Sequence, residues 1–259
     1  MTQLSFDAAW AIVDPQLHRF FAYFGGKWRD AVKNYPSPDH DTIVEPFAGA
    51  AGYSVRHAHR KIILCDLDPV LSEVWRYLIR VKADEILALP DIGPGETTDD
   101  LKIPQEAKWL AGFWLDANVS RPYKRPCNWM REGRSGYWGP RVRQRIASQV
   151  DSIRHWQVYN CGYADAPVHR AATWFVDPPY EVAGRSYRFG SKLLDYEALG
   201  AWCRTLPGQV IVCENAGATW LPFRELADVH ATRGRSKEVI WLSAENDHHP
   251  TLRASEVSE

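Results

Sequence analysis

The feature that most restricts how this chain can fold is a regular alternation. Short β-branched runs, each closing on an acidic or glycine-rich turn, take turns with amphipathic segments of helical length. Strands separated by helix-length segments are joined by crossovers and lie parallel, which gives a doubly wound α/β sheet. Strands are expected at Thr42–Phe47, Lys61–Asp66, Gln157–Cys161, Thr173–Asp177, Gln209–Glu214 and Glu238–Leu242, with one more near Ala227–Thr232. Helices are expected at Pro69–Val81, Gln105–Asn118, Pro140–His155 and Tyr196–Thr205. Roughly ninety residues separate the second and third strands, far more than a crossover needs. An inserted module over 83–149 is therefore expected, with 1–82 and 150–259 forming the sheet domain.

Hydrophobic residues make up 45% and charged residues 24%, which permits a packed core and excludes disordered and fibrous classes. The net charge of −1 hides an asymmetry. Arg121, Lys124, Arg125, Arg131, Arg134, Arg141, Arg143 and Arg145 face Glu132 alone, while Asp84, Glu85, Asp91, Glu96, Asp99, Asp100 and Glu106 precede them. Such a local basic patch can neutralise phosphates without making the protein a polycation. No run approaches the roughly 18 to 20 apolar residues of a membrane span, and the N-terminus lacks a signal-peptide pattern. A cytoplasmic protein with no membrane contact is the expectation. The five cysteines include no C-x-x-C pair, and the nine histidines show no i, i+4 pair joined to an acid, so no metal and no disulfide framework are expected.

The sharpest signal is Asp177-Pro178-Pro179-Tyr180, directly after the apolar run Thr173–Val176. An acid followed by two prolines ends a strand and holds the next loop rigid at the carboxyl edge of the sheet, where open α/β sheets bind ligands. These residue types suit one chemistry. The lone pair of adenine N6 is delocalised into its ring, and acceptors aimed at the two N–H protons localise it. The Asp177 carboxylate and the Pro178 carbonyl can be those acceptors, and Tyr180 can stack on a base swung out of the duplex. Asp177 is then a polarising group first and a proton acceptor second. The alternative is a plain strand end with a proline turn.

Together with Phe24-Gly25-Gly26-Lys27, Glu45-Pro46-Phe47-Ala48-Gly49 and Cys65-Asp66-Leu67-Asp68, this tetrapeptide resembles the Dam-type (D12 class) N6-adenine-specific DNA methyltransferase family. The order of the motifs matches too, and the resemblance covers about Phe20–Val81 and Trp156–Leu242. It implies a Rossmann-like methyltransferase sheet with an inserted helical and loop-rich target-recognition domain, S-adenosyl-L-methionine as cofactor, and double-stranded DNA as partner. Glu45 to Gly52 can form a tight turn that lets backbone approach the amino-acid end of the cofactor, with Glu45, Phe47 and Gly49 at the contact. Asp66, about twenty residues on, can take both ribose hydroxyls. The family further implies that Tyr23 and Lys27 touch the cofactor around Gly25 and Gly26. Lys27 would pair with its carboxylate, the aromatic face would favour the sulfonium, and Asp177 would border it. Asp165 falls where the family places an acid near the cofactor adenine, although a capping Asp explains it as well. Two departures stand out: Ala51 replaces the second glycine of F-x-G-x-G, and Tyr23 replaces the more usual tryptophan.

The insert reads as a DNA-facing module. Arg121, Lys124, Arg125, Arg131 and Arg134 would meet phosphates, and Tyr123, Trp129, Tyr137 and Trp138 would stack or wedge at the extrusion point. A solvated basic loop anchored by its aromatics is the alternative. Arg185, Tyr187 and Arg188 follow the tetrapeptide and can close over the target strand or form a simple polar loop. The expected activity is direct transfer of methyl to N6 of an extruded adenine, because no Cys or Ser sits beside the acceptor loop in a nucleophile's setting. Cytosine N4, adenine in RNA, and a non-catalytic DNA-binding relic are the competing readings. No obligatory protein partner is expected, though a companion restriction endonuclease would suit such an enzyme.

Overall fold

The computed structural model describes residues 17–27, 34–93, 95–116, 119–132, 136–168, 170–182, 184, 187–231 and 234–243. Its seven strands form one sheet in the order β3-β2-β1-β4-β5-β7-β6. β1 (Thr42–Glu45), β2 (Lys61–Asp66), β3 (Gln157–Asn160), β4 (Ala172–Val176) and β5 (Gly208–Asn215) run parallel. β7 (Gly234–Leu242) lies antiparallel between β5 and β6 (Arg224–Ala231). Strand order reverses between β1 and β4, so the loops leaving these two strands diverge and open a crevice at the carboxyl edge.

The buried strands explain the runs in the sequence. β4 is Ala-Thr-Trp-Phe-Val with every residue buried, because helices and loops cover both faces of a parallel sheet and no polar alternation survives. The helices are α1 (Gly52–Arg56), α2 (Pro69–Arg80), α3 (Ala83–Leu87), α4 (Gln105–Gly112), α5 (Asn128–Arg131), α6 (Pro140–Ala147) and α7 (Tyr196–Thr205). α2 starts where Asp68 accepts from the Val70 N–H, with Pro69 in the first turn, and it buries Leu71, Val74, Trp75 and Leu78. Asp195 caps α7 in the same way through Ala198.

Several boundaries differ from expectation for identifiable reasons. β1 stops at Glu45, since Pro46 has no N–H to give the ladder and the Ala48 N–H turns to the Cys65 carbonyl at 3.0 Å. α4 stops at Gly112, far short of Asn118, because the returning chain lies on that glycine. A Cβ there would sit 2.6 Å from the Tyr123 carbonyl oxygen, and the Tyr123 N–H bonds the Gly112 carbonyl. α6 ends at Ala147, and a 3₁₀ turn follows at Val150–Ile153. Between them Gln149 turns aside to exchange two hydrogen bonds with the backbone of His18. β6 spans Arg224–Ala231, three residues earlier than expected at its start, and Thr232 lies outside the described residues.

The insert does not carry a core of its own. Ile86, Leu110, Trp114 and Ile146 belong to one apolar cluster with Phe20, Trp75 and Trp156 on one face of the sheet. Trp174, Leu199 and Val212 build the core on the other face. Among the described residues no helix is long and apolar enough to cross a membrane.

Candidate active site

The turn after β1, the end of β2, the loop after β4 and the Phe24–Lys27 loop converge on one cleft of about 220 Å³. In the β1 turn Ala51 has φ 48°, a left-handed conformation that costs an L-residue roughly 1–2 kcal/mol. This is the position where the resembling family carries glycine, so the backbone shape persists although the residue differs. A Cβ on Gly52 would collide with the Lys27 carbonyl, so only glycine lets the Phe24–Lys27 loop lie on the start of α1.

Asp66 stands at the base of the cleft. Its two oxygens accept the N–H groups of Gly49 and Asp68, both at 2.9 Å. Burial pushes its carboxyl up to about 6, against the downward pull of those N–H groups. Each oxygen has lone-pair capacity left for a donor in the cleft. Beside it Phe47 stacks on Tyr163, with ring centroids 5.6 Å apart and planes at 25°, forming a flat apolar wall. Tyr23 closes the floor: a Cβ on Gly49 would lie 3.2 Å from its ring.

The loop after β4 is braced from several sides. Pro178 is buried, the Pro179 carbonyl accepts from the Tyr196 hydroxyl, and the Glu181 N–H donates to Glu214 at 3.1 Å. Glu214 is itself buried, which pushes its carboxyl up to about 7. Asp177 points into the cleft and pairs with Lys27, Nζ to Oδ1 2.9 Å. Lys27 also lies 3.4 Å from Glu238 and donates to the Gly25 carbonyl at 3.2 Å. Burial alone would lower the proton affinity of this ammonium, but Asp177 and Glu238 outweigh it and keep it charged. Burial raises the proton affinity of Asp177, and Lys27 opposes that rise.

Several side chains stand elsewhere than the sequence suggested. Lys27 lines the cleft, and its ammonium is held by Asp177 and Glu238. Its ammonium also covers one face of Tyr180, 4.7 Å from the ring centroid, and Tyr180 packs against the core instead of lining the cleft, so the ring is not placed to stack on a base there. Glu45 lines the cleft but is buried and already engaged, accepting from the Ser54 N–H at 2.7 Å, which anchors α1; burial pushes its carboxyl up to about 8. Asp165 is exposed and lies outside the cleft wall, because the 3₁₀ turn Tyr163–Asp165 presents Tyr163 instead. Tyr187 is in the cleft wall rather than on an outer surface. Its hydroxyl bonds the Phe24 carbonyl at 3.0 Å, and neighbouring Arg188 reaches Asp68 at 3.2 Å.

The basic run divides. Arg121, Arg125 and Arg131 are exposed, and Lys124 is exposed in a 2.6 Å pair with Asp99. Arg143 is buried against Asp91 and the ring of Trp138, and Arg145 lies over Trp114. Trp138 is core, with its N–H on the Pro90 carbonyl. The exposed segment begins beside the cleft, since the Phe24 N–H bonds the Val119 carbonyl at 2.8 Å. Arg134 and Arg185 lie outside the described residues, as does the side chain of Trp129. Among the described residues no group of three or more His, Cys, Asp or Glu is placed to hold a metal ion.

Sequence reasoning missed Tyr163, Tyr196, Glu214 and Glu238. The first adjoins an assigned residue and an aromatic next to a strand end was a usable signal. The other three act across the sheet and carried none.

No family profile and no curated protein matches this chain. Among solved structures it is similar to a conserved hypothetical protein of Streptococcus pyogenes, at 12% identity over 81% of this chain and 90% of that one, TM-score 0.36. It is also similar to the rRNA methyltransferase AviRa of Streptomyces viridochromogenes, at 13% identity over 83% and 81%, TM-score 0.39. The sheet order, with an antiparallel β7 between β5 and β6, is decisive for the architecture. This is a doubly wound, Rossmann-like α/β fold. What the cleft does rests on its own residues.

Proposed function

We propose that this chain is an S-adenosyl-L-methionine-dependent methyltransferase of the Dam type, acting on the N6 amine of an adenine extruded from duplex DNA. One observation carries the reading: Asp177, at the end of the central strand and followed by a braced Pro-Pro-Tyr loop, opens into the same cleft as the Asp66 carboxylate and the β1 turn.

The residues present fit the cofactor. Asp66 would take the ribose hydroxyls, the Phe47–Tyr163 wall would take the adenine, and the turn through Gly49 would face the amino-acid end. Bound there, the cofactor would supply an electrophilic methyl on a sulfonium. Asp177 and the Pro178 carbonyl would each accept one N–H of the target amine, returning its lone pair to nitrogen. Asp177 is also the nearest group to hold the proton that the methylated amine sheds, and its burial raises its affinity for that proton. Tyr180, packed against the core with its hydroxyl on Glu238, would stiffen the loop. The exposed Arg121, Lys124, Arg125 and Arg131, beginning next to the Phe24–Lys27 loop, would meet phosphates.

The test is labelled-methyl transfer to mixed-sequence duplex DNA and to RNA, followed by nucleoside mass spectrometry. N6-methyladenine in DNA is the expected product. Label in N4-methylcytosine or in RNA would reassign the acceptor, and no label in any nucleic acid would overturn the reading. Asp177→Ala should remove transfer, a loss of about 10²-fold or more, while DNA binding persists; a variant with normal turnover would refute the role of Asp177.

A further inference from the structure

Glu238 carries none of the motifs, yet it joins three of the site's parts. It lies within β7, opposite Asn215 of β5 and Ala227 of β6, and is 4% exposed. Donors from distant parts of the chain converge on its Oε1: the Tyr35 hydroxyl at 2.8 Å, the Tyr180 hydroxyl, and the Lys27 ammonium at 3.4 Å. The same ammonium sits 2.9 Å from Asp177.

We propose that Glu238 is a positioning residue for methyl transfer, holding Lys27 between two carboxylates so that Asp177 keeps its strength as an acceptor for the target amine. The inference rests on the acceptor role proposed above for Asp177. A buried lysine needs one counter-charge, and Asp177 already supplies it at 2.9 Å. A second buried carboxylate adds a desolvation cost without being needed for neutrality. What it changes is the division of the ammonium. With Glu238 in place, Lys27 is shared, and its pull on the Asp177 electron pairs is reduced. With glutamine there instead, Lys27 would settle wholly on Asp177, and an oxygen saturated by an ammonium is a poor acceptor for an aromatic amine. Glu238 also anchors the Tyr180 hydroxyl, which fixes the residue that ends the acceptor loop.

The groups facing Asp177 act in the same sense or are accounted for. Lys27 from the Phe24–Lys27 loop lowers its proton affinity, and Glu238 from β7 raises it after the larger effect of burial. Tyr180 from its own loop also lowers it, while its hydroxyl proton goes to Glu238. Glu45 of β1, Cys213 of β5, Tyr35 and Tyr187 complete the surroundings.

The experiment is single-turnover methyl transfer to duplex DNA by the full chain between about pH 5 and about pH 9, with S-adenosylhomocysteine binding and thermal melting measured alongside. Glu238→Gln should slow transfer roughly 10- to 100-fold and move the acid limb of the profile down by about one pH unit, with the S-adenosylhomocysteine Kd within about threefold of wild type. Glu238→Asp keeps the charge but withdraws it by one methylene. It should slow transfer less and shift the limb less, in the same direction, and it decides the matter if the glutamine variant does not fold. An unchanged rate and limb in the folded variants overturns the proposal. So does a slower rate with an unmoved limb, which is what a purely structural carboxylate would give. A wild-type chain that transfers no methyl overturns the acceptor role and this inference with it. A wild-type chain that transfers methyl beside unaffected variants overturns this inference alone.

Discussion

Replacing Asp66 by asparagine separates the backbone contacts that the structure shows for this side chain from the cofactor contact proposed for it. Each carboxylate oxygen holds one backbone N–H at 2.9 Å, from Gly49 and from Asp68. Asparagine keeps one acceptor and turns the other into a donor facing an N–H. The orphaned N–H and the weakened remaining bond should cost about 1–3 kcal/mol of folding stability, read from a urea titration. One of the two diol contacts should go as well. A hydrogen bond to a charged group contributes about 1.5–3 kcal/mol, so the Kd for S-adenosylhomocysteine should rise roughly 10- to 150-fold, measured by calorimetry at neutral pH. The pH dependence sharpens the test. Burial holds the Asp66 carboxyl up at about 6, against about 3.9 for a free aspartate. Its contribution to stability is therefore full below about pH 4 and is lost as pH rises through about 6. Ribose hydroxyls donate to the ionised form, so a proton competes with the ligand. Wild-type Kd should be level above about pH 7 and weaken by up to about tenfold per pH unit below about 6, and the asparagine variant should lack that dependence. A variant that binds as tightly as wild type, or a wild-type Kd that stays level down to about pH 5, would refute the assignment of Asp66 to the cofactor.

Other substitutions probe the rest of the cleft and the insert. Gly52→Ala would set a methyl against the Lys27 carbonyl; a loss of about 1–3 kcal/mol in urea together with weakened cofactor binding is expected, and an unchanged midpoint would contradict the close approach. Tyr163→Ala removes the partner of Phe47 and should raise the S-adenosylhomocysteine Kd about 2- to 10-fold, measured by tryptophan fluorescence. Converting Arg121, Arg125 and Arg131 to alanine together should reduce the salt dependence of DNA binding by roughly 3 in the log–log slope while the melting temperature holds. An unaltered slope would remove the insert from the DNA-facing role.

Much of the scaffold was legible because its causes are local. β2 and α7 have the bounds the sequence predicts, since an apolar run ending in Asp66 and a capped segment starting after Asp195 are each settled within a few residues. The same is true of the end of β4, which two prolines close off whatever packs around them. Short elements escaped: α1, α3 and α5 are about one turn each, too brief for a helical period to register. α4 and α6 were read too long because apolar residues continue past their ends. What stops them is a chain segment returning onto Gly112 and a side chain reaching His18, which no local pattern encodes.

The amino-acid order alone determined the parallel sheet, the rigid loop after β4 and the acid at the end of β2, since strand period, proline geometry and chain punctuation act over neighbouring residues. Only the tertiary structure decided which charges meet. Lys27 belongs to Asp177 and Glu238, Arg143 to Asp91, and Tyr35 to a carboxylate 203 residues away. Electrostatic pairing depends on distance in space and on exclusion of water, and folding creates both by stacking strands that are remote in the chain.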